Sequence, residues 1–512
     1  MLALVLAHFV AGALAPALVR ALGRRAFLVL ASVPLAAFGW ALTQTNRVAD
    51  GDVPTEVVDW VPALNLELAL SLTTLQWVLM LLVTGVGALV LAYCAWYFTD
   101  DEPGLRSFAG IFVAFAGAML GLVVSDDLLV LYVFWELTTV FSYLLIGHDP
   151  TKRASRSASM EALVVTTFGG LAMLVGFLLI GVEAGTLRIT ELLVDPPSGT
   201  TTTVAVALVL VGAMSKSALV PFHFWLPGAM AAPTPVSAYL HAAAMVKAGV
   251  FLVALLAPAF ADVPGWRGIV LTAGVLTMLV GGWRALRQVD IKLLLAYGTV
   301  SQLGFLLTVV SLGTRSAALA GLAMVAAHAL FKACLFLVVG IVDHSTGTRD
   351  LRKLSGVGRS MPVLAVAAVL AGASMAGLPP LLGFVAKESV YAALLDVATD
   401  GDGTGLGGLA GWVVLVGVVV GSGLTTAYTA RFLWGTFASK AGKVPTPVGK
   451  PVAGFVAAPV VLAVLSVALG FFGSVQTRLL GRTPTSSPKA CTTRSWRCGT
   501  GSSPLSVCRP SR

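Results

Sequence analysis

The chain has 512 residues, of which 57% are hydrophobic and 11% charged, with a mean hydropathy of +0.91. Soluble globular chains carry about 45–50% apolar and about 25% charged residues, so a disordered protein, a nucleic-acid-binding domain and an ordinary cytosolic enzyme are excluded. The net charge of +9 belongs to a tail: from Arg478 onward there are seven Lys/Arg and no acid, which leaves 26 bases against 24 acids in the rest.

Apolar runs of about 18 or more residues recur along the chain, each long enough to cross a hydrocarbon core of about 30 Å. Fourteen spans are predicted, centred near residues 10, 34, 84, 116, 137, 170, 212, 246, 275, 301, 329, 377, 420 and 464. The first, Leu2–Val19, has no charged segment before it and reads as a span, not a cleaved signal peptide. Span 7 is interrupted at Pro221 and Pro227, and span 12 at Pro379-Pro380. Lys216 and Lys387, each beside a break, lie 171 residues apart, and the centres of spans 5 and 10 lie about 164 apart. These offsets predict two inverted five-helix repeats. The expected fold is an all-α polytopic membrane protein of about 14 transmembrane helices, with helices 7 and 12 interrupted. Its parts are N-terminal spans 1–3 (1–105), a first repeat of spans 4–8 (106–258), a second repeat of spans 9–13 (259–435), span 14 (436–480) and a polar tail (481–512).

The loops sort by charge. Sixteen Lys/Arg fall after odd-numbered spans and four (Arg47, Arg188, Arg267, Arg315) after even-numbered ones. The positive-inside rule places the odd loops in the cytoplasm and both termini outside. The tail past Leu480 is rich in Pro, Ser, Thr, Arg and Cys; it is either a disordered extension or out-of-frame translation of a GC-rich reading frame. Cys491, Cys498 and Cys508 sit there, while Cys94 and Cys334 lie in apolar runs as small hydrophobes. No spacing points to a metal site, a redox pair or haem attachment, so no metal and no cofactor is expected.

An ionisable group inside a span costs at least about 2.5–3.5 kcal/mol at the helix centre and needs a reason. Glu136 lies mid-span in LLVLYVFWELTTVFSYLLIG, and Lys216 in ALVLVGAMSKSALVPFHFW. Glu136 is the one buried acid of the first half, and Lys216 is its expected partner. His241 and Lys247 share the span beginning PTPVSAYLHAAAMVKAG. His328 and Lys332, in MVAAHALFKACLFLVVG, stand at i, i+4 on one helix face; a histidine one turn from a lysine is a natural step of a proton relay. Lys387 and Glu388 follow the break in AGLPPLLGFVAKES. A single such lysine is readily a snorkelling or structural group, but a set of this size argues for a proton pathway. His223, Lys292 and Glu388 are possible further members: His223 could instead bond a carbonyl freed by Pro221, and Lys292 could be an interfacial anchor beside Asp290. Asp126 and Asp127 read as a solvated span end, and Trp60, Trp96, Trp266 and Trp412 as interface anchors.

The segments VFWELTTVFSYLLIG, KSALVPFHFWLPGAMAAPTPVSAYLHAAAMVKAG, DIKLLLAYGTVSQLGF and AAHALFKACLFLVVG resemble the antiporter-like family. That family comprises the large proton-translocating subunits of respiratory complex I and the Mrp cation/proton antiporters. AGALAPALVRALGRRAFLVL, ASMEALVVTTFGGLAMLVGF and GLTTAYTARFLWGTF resemble the A-type branch of the Mrp Na+/H+ antiporters more than the D-type branch. The resemblance implies that Glu136 takes the helix-5 glutamate role and Lys216 the helix-7 lysine role. It gives His241 and Lys247 the helix-8 roles, His328 and Lys332 the helix-11 roles, and Lys387 the helix-12 lysine role. It implies a Na+/H+ exchanger active in pH homeostasis, in a hetero-oligomeric complex with other Mrp-type subunits in a bacterial cell membrane. Such a chain is a secondary transporter component, not a redox catalyst. Proteins of this branch continue for several more spans, so the resemblance also implies a truncated chain. The alternative is a proton-pumping subunit of a complex I-like NADH-quinone oxidoreductase or membrane hydrogenase, which would need a long lateral helix after span 14. An inactive fragment is a third reading.

Overall fold

The computed structural model describes residues 1–61, 66–400 and 406–471; the expected tail and the end of the fourteenth predicted span lie outside them. The helices are α1 (Leu2–Leu22), α2 (Ala26–Thr43), α3 (Thr45–Ala49), α4 (Thr74–Tyr97), α5 (Leu105–Val124), α6 (Leu128–Ile146), α7 (Arg153–Ala184), α8 (Ile189–Val194), α9 (Thr200–Lys216), α10 (Trp225–Gly228), α11 (Thr234–Leu240), α12 (Lys247–Phe260), α13 (Trp266–Leu286), α14 (Ile291–Val310), α15 (Arg315–Thr346), α16 (Val357–Ser360), α17 (Pro362–Ala376), α18 (Leu382–Asp400), α19 (Leu409–Phe437) and α20 (Ala453–Phe471). Among the described residues ten helical stretches are long and apolar enough to cross a membrane, α1 and α2 running as one such stretch; α9, α12 and α17 are shorter apolar helices. The chain is a multi-span membrane protein.

It is not all-α. Strands β1 (Thr55–Val61) and β2 (Leu66–Ser71) pair antiparallel between α3 and α4. β1 supplies β-branched residues (Thr55, Val57, Val58 and Val61) and β2 an alternation of Leu66, Leu68 and Leu70 with Glu67, Ala69 and Ser71, both suited to a pleated surface. Leu70 bridges Ser125, and the Asp126 N–H donates to the Ala69 carbonyl at 2.8 Å, so the hairpin is tied to the α5–α6 turn.

The same local crossing is built twice. Asp127 caps α6 by accepting from the N–H groups of Leu129 (2.8 Å) and Val130 (3.0 Å), and Asp290 caps α14 by accepting from those of Lys292 (2.7 Å) and Leu293 (3.1 Å). Asp127 bridges Arg188, just past the end of α7; Asp290 bridges Asp350, just past the end of α15. Both α7 and α15 run 32 residues and stop at a left-handed glycine, Gly185 (φ 69°) or Gly347 (φ 67°). Asp126 and Asp127 are therefore not a solvated span end. Both are buried, and Asp126 accepts from the Thr190 hydroxyl at 2.9 Å and faces Arg188 at 3.6 Å. Burial raises the Asp126 and Asp127 carboxyls above the ordinary value. Trp266 is likewise no interface anchor, since it is buried with its Nε1 donating to the Ser311 carbonyl at 2.9 Å. Trp96 is half-buried and Trp412 exposed, and the side chain of Trp60 lies outside the described residues.

Helices pack closely where glycine allows it. A Cβ on Gly304 of α14 would fall 2.4 Å from the Gly274 carbonyl oxygen of α13, a close approach typical of helix contacts in lipid. The helical runs break at three places. After Lys216 irregular turns follow to Phe224, α11 and α12 are separated by residues 241–246, and α17 and α18 by residues 377–381. The expected interruptions at Pro221 and at Pro379-Pro380 are thus present.

Candidate functional site

Lys216, at the last turn of α9, is fully buried. Its ammonium donates to the Trp135 carbonyl (2.6 Å) and the Thr139 hydroxyl (2.9 Å) of α6, and lies 4.6 Å from the Trp135 ring centroid. The expected Glu136–Lys216 ion pair is not closed: no such contact within 4.0 Å occurs among the described residues. Glu136 is half-buried, and its Oε1 is buried without a hydrogen-bond partner among the described residues. The reason lies on α7. Gly170 has no side chain, and the carboxylate fills the slot, 2.1 Å from where a Cβ would stand.

The α11–α12 break carries the next groups. His241 caps α11 and is fully buried, with both ring nitrogens unpartnered among the described residues. Lys247 opens α12, donates to the Ala242 carbonyl inside the break and meets His328 Nδ1 of α15 at 2.9 Å. The Ala242 carbonyl is free for this because the Val246 N–H, four residues on, is drawn to the Leu240 carbonyl. One turn beyond His328, the Lys332 ammonium reaches the Leu295 carbonyl of α14 (3.3 Å) and stands 5.7 Å from the Tyr428 ring centroid of α19. Gln302 donates to the Thr425 hydroxyl (3.0 Å) and to the Tyr428 hydroxyl (3.5 Å). Lys292 is no interfacial anchor: it is buried and donates to the Ala232 carbonyl at 2.6 Å.

At the Pro-Pro break the Lys387 ammonium donates to the Ala376 carbonyl at 3.0 Å. The residue four beyond Ala376 is Pro380, which has no N–H to complete the helical bond. Glu388 is exposed, and both residues line a cavity of about 300 Å³. His223 is half-buried with Nδ1 unpartnered and joins none of the bonds above.

The structure thus brings Lys247, His328 and Lys332 together, sets Lys216 against the Glu136 turn, and leaves Lys387, Lys292 and His241 on or beside broken backbone. The residues missed in sequence are Trp135, Thr139, Gln302, Thr425, Tyr428 and Gly170. Isolated polar residues within apolar runs were the available signal for Gln302 and Thr425; nothing in the sequence marked Gly170.

Two larger cavities are present among the described residues. One, of about 520 Å³, begins at Val53, Thr55, Thr190 and Gly313 and reaches Lys247 past mostly apolar walls. The other, of about 540 Å³, is lined by Asp290, Asp343, Arg349 and Asp350 beside the crossing that starts α14. The first joins loops that follow even-numbered predicted spans, the second loops that follow odd-numbered ones. Among the described residues no group of three or more His, Cys, Asp or Glu is arranged to hold a metal ion.

Residues 125–400, more than half of the chain, match the family described as NADH:quinone oxidoreductase/Mrp antiporter, TM. The chain belongs to this family. Residues 60–109 match a second family, NADH-Ubiquinone oxidoreductase (complex I), chain 5 N-terminus. The A-type subunit of the Na+/H+ antiporter of Alkalihalophilus pseudofirmus is 39% identical over 462 residues, 86% of this chain and 57% of that protein. The A/B-type subunit of a probable K+/H+ antiporter of Rhizobium meliloti is 46% identical over 356 residues, 68% of this chain and 35% of that protein. Among solved structures, a chain of the Mrp complex from a Dietzia species superposes with a TM-score of 0.84 at 39% identity, covering 93% of this chain and 51% of its own. A chain of respiratory complex I from Thermus thermophilus does so with 0.78 at 25% identity, covering 93% and 96%. The chain spans 35% to 59% of the length of the curated relatives it matches.

Proposed function

We propose that the chain is a proton-translocating subunit of a multisubunit monovalent cation/proton antiporter of the Mrp type, working with other subunits in a bacterial cell membrane. One observation carries this reading: Lys216, His241, Lys247, Lys292, His328, Lys332 and Lys387 are all buried inside a bundle of apolar helices. The six bonded members rest on backbone carbonyls, hydroxyls or each other, without carboxylate partners among the described residues. Burying so many ionisable groups costs too much for a scaffold alone. The orphaned atoms Glu136 Oε1, His241 Nδ1 and Nε2, and His328 Nε2 call for water, which would pass protons between them. Protons driven by the membrane gradient would move along Glu136, Lys216, Lys247, Lys332 and Lys387, with His241 and His328 between, while Na+ is expelled. His223 and Lys292 are candidate side branches. The antiporter names that the relatives carry support this over the complex I-like alternative.

The finer topology belongs to the same proposal. Fourteen spans, two inverted five-helix repeats (spans 4–8 and 9–13) and termini on the outer face are supported by the duplicated Asp127 and Asp290 crossings and by the loop charges. The test is Na+/H+ exchange in everted vesicles. Glu136→Ala and Lys216→Ala should abolish exchange while the complex still assembles; retained exchange in either variant removes the mechanism.

A further inference from the structure

The cavity beside the Pro-Pro break is larger and more polar than a lysine needs. Its walls include the Ala376 carbonyl end of α17, Lys387, Glu388 and Tyr391 of α18, and Ser422 and Thr426 of α19. Ser422 is more than nine-tenths buried, and its Oγ makes no hydrogen bond within 3.5 Å among the described residues, with the Tyr391 hydroxyl as a polar neighbour. An orphaned buried hydroxyl costs free energy unless something comes to it. The Thr426 hydroxyl donates to the Ser422 carbonyl at 3.1 Å, and its oxygen keeps the capacity to accept. At Gly423 a Cβ would meet nothing within 4 Å, so open space lies against this turn of α19. The set is therefore oxygen-rich, with backbone carbonyl, hydroxyls and one carboxylate, and contains a single cation, the Lys387 ammonium, on the Ala376 carbonyl.

Hard alkali cations are bound by this kind of oxygen set, often at the carbonyl end of a broken helix. We propose that this cavity is a binding site for one monovalent alkali cation, Na+ or K+, which replaces the Lys387 ammonium on the Ala376 carbonyl and takes Ser422 Oγ as a further ligand. The proposal deepens the antiporter reading, on which it rests. Two unit positive charges a few ångströms apart repel strongly away from bulk water, so the site holds the protonated lysine or the metal ion, not both. When the Lys387 N–H bond breaks, the proton leaves along the buried relay and the nitrogen keeps the electron pair. The neutral amine swings off the carbonyl, and the hydrated ion sheds part of its water onto Ala376 O, Ser422 Oγ and Glu388. One positive charge leaves with the proton and one arrives with the ion, so the net charge of the site is the same before and after. Glu388 and Tyr391 are the other titratable groups lining the cavity; α17 and α19 contribute none to it.

The test reads Lys387 directly and not transport. Native membranes holding the full chain with its partners are treated with formaldehyde and cyanoborohydride, and methylation of Lys387 is quantified by mass spectrometry. Ionic strength is held constant with Na+, K+ or N-methylglucamine. The expected result is dose-dependent enhancement of methylation by Na+ or K+ but not by N-methylglucamine, because only the neutral amine released by the ion reacts with formaldehyde, the more potent ion identifying the substrate. Ser422→Ala should raise the concentration needed by about tenfold, the scale of one lost polar ligand. Gly423→Val, which fills the open space without touching a ligand, should do the same. Equal methylation in all three cations, no methylation in any of them, or wild-type enhancement in Ser422→Ala would overturn the site. Enhancement without any exchange activity would keep the site and sink the antiporter reading; exchange without enhancement would do the reverse.

Discussion

Gly170→Ala is the sharpest probe of the Glu136 position, because it alters no ionisable group. The new Cβ would fall 2.1 Å from Glu136 Oε1 and 3.3 Å from its Cδ, where ordinary contact begins at 3.4 Å. The oxygen must retreat by the 1.3 Å that separates 2.1 from 3.4 Å. It sits at the end of a flexible side chain, so the protein yields by turning a rotamer, at about 0.5–1.5 kcal/mol. Alanine returns up to about 1 kcal/mol in helix propensity over glycine, so assembly and thermal stability should stay close to wild type. Catalytic groups displaced by about 1 Å lose up to about 100-fold in rate. Exchange in everted vesicles, followed with a pH-gradient dye, should therefore fall by about 10- to 100-fold. Gly268→Ala, where a Cβ meets nothing within 4 Å, is the control and should leave exchange unchanged. Wild-type exchange in an assembled Gly170→Ala complex would refute the idea that the carboxylate works from this slot.

Lys216→Ala should cut proton-coupled exchange by at least about 100-fold, measured in the same vesicles; a smaller loss would mean the ammonium on Trp135 and Thr139 is structural. Asp127→Ala and Asp290→Ala each remove a helix cap and should each lower stability by about 1 kcal/mol, read as shifts of the denaturation midpoint; unequal shifts would argue against equivalent roles for the two crossings. His148, in the turn after α6, packs 4.9 Å from the Phe108 ring, and burial lowers its proton affinity below the usual 6.5. Its folded form favours the neutral ring, so that contribution is complete above pH 6.5 and is lost as pH falls through the lowered value. His148→Phe should flatten the acid limb of a stability profile measured from pH 7 to 5, and an unchanged limb would contradict the assignment. Arg188→Ala should loosen the hairpin, since Arg188 ties Glu67 (3.0 Å) to Asp126 (3.6 Å); faster proteolysis within residues 55–71 would report it.

The sequence made the expensive features visible. Lys216, Lys247, Lys332 and Lys387 stood out because apolar runs seldom carry charge, and Pro379-Pro380 announced a break because neither residue can donate a helical hydrogen bond. Partners were harder to see. Glu136 and Lys216 look complementary on paper, yet Lys216 finds a nearer carbonyl and hydroxyl one turn along α6, and Glu136 turns toward a glycine on another helix. A slot made by a missing side chain leaves no mark in linear sequence. The hairpin at 55–71 escaped because its strands are short and lie between apolar spans, where a helical expectation dominates. Asp126 and Asp127 looked solvated because their partners, Arg188 and Thr190, are some sixty residues away.

The contrast between the two large cavities has a kinetic consequence. Water fills a chamber walled by aspartates and an arginine continuously, whereas a chamber walled by Phe251, Leu255, Val310 and Leu322 wets only intermittently. The stretch reaching Lys247 would then conduct in bursts, set by how often a water column forms. A leak that short-circuits the gradient would be rare through that chamber even with no moving lid.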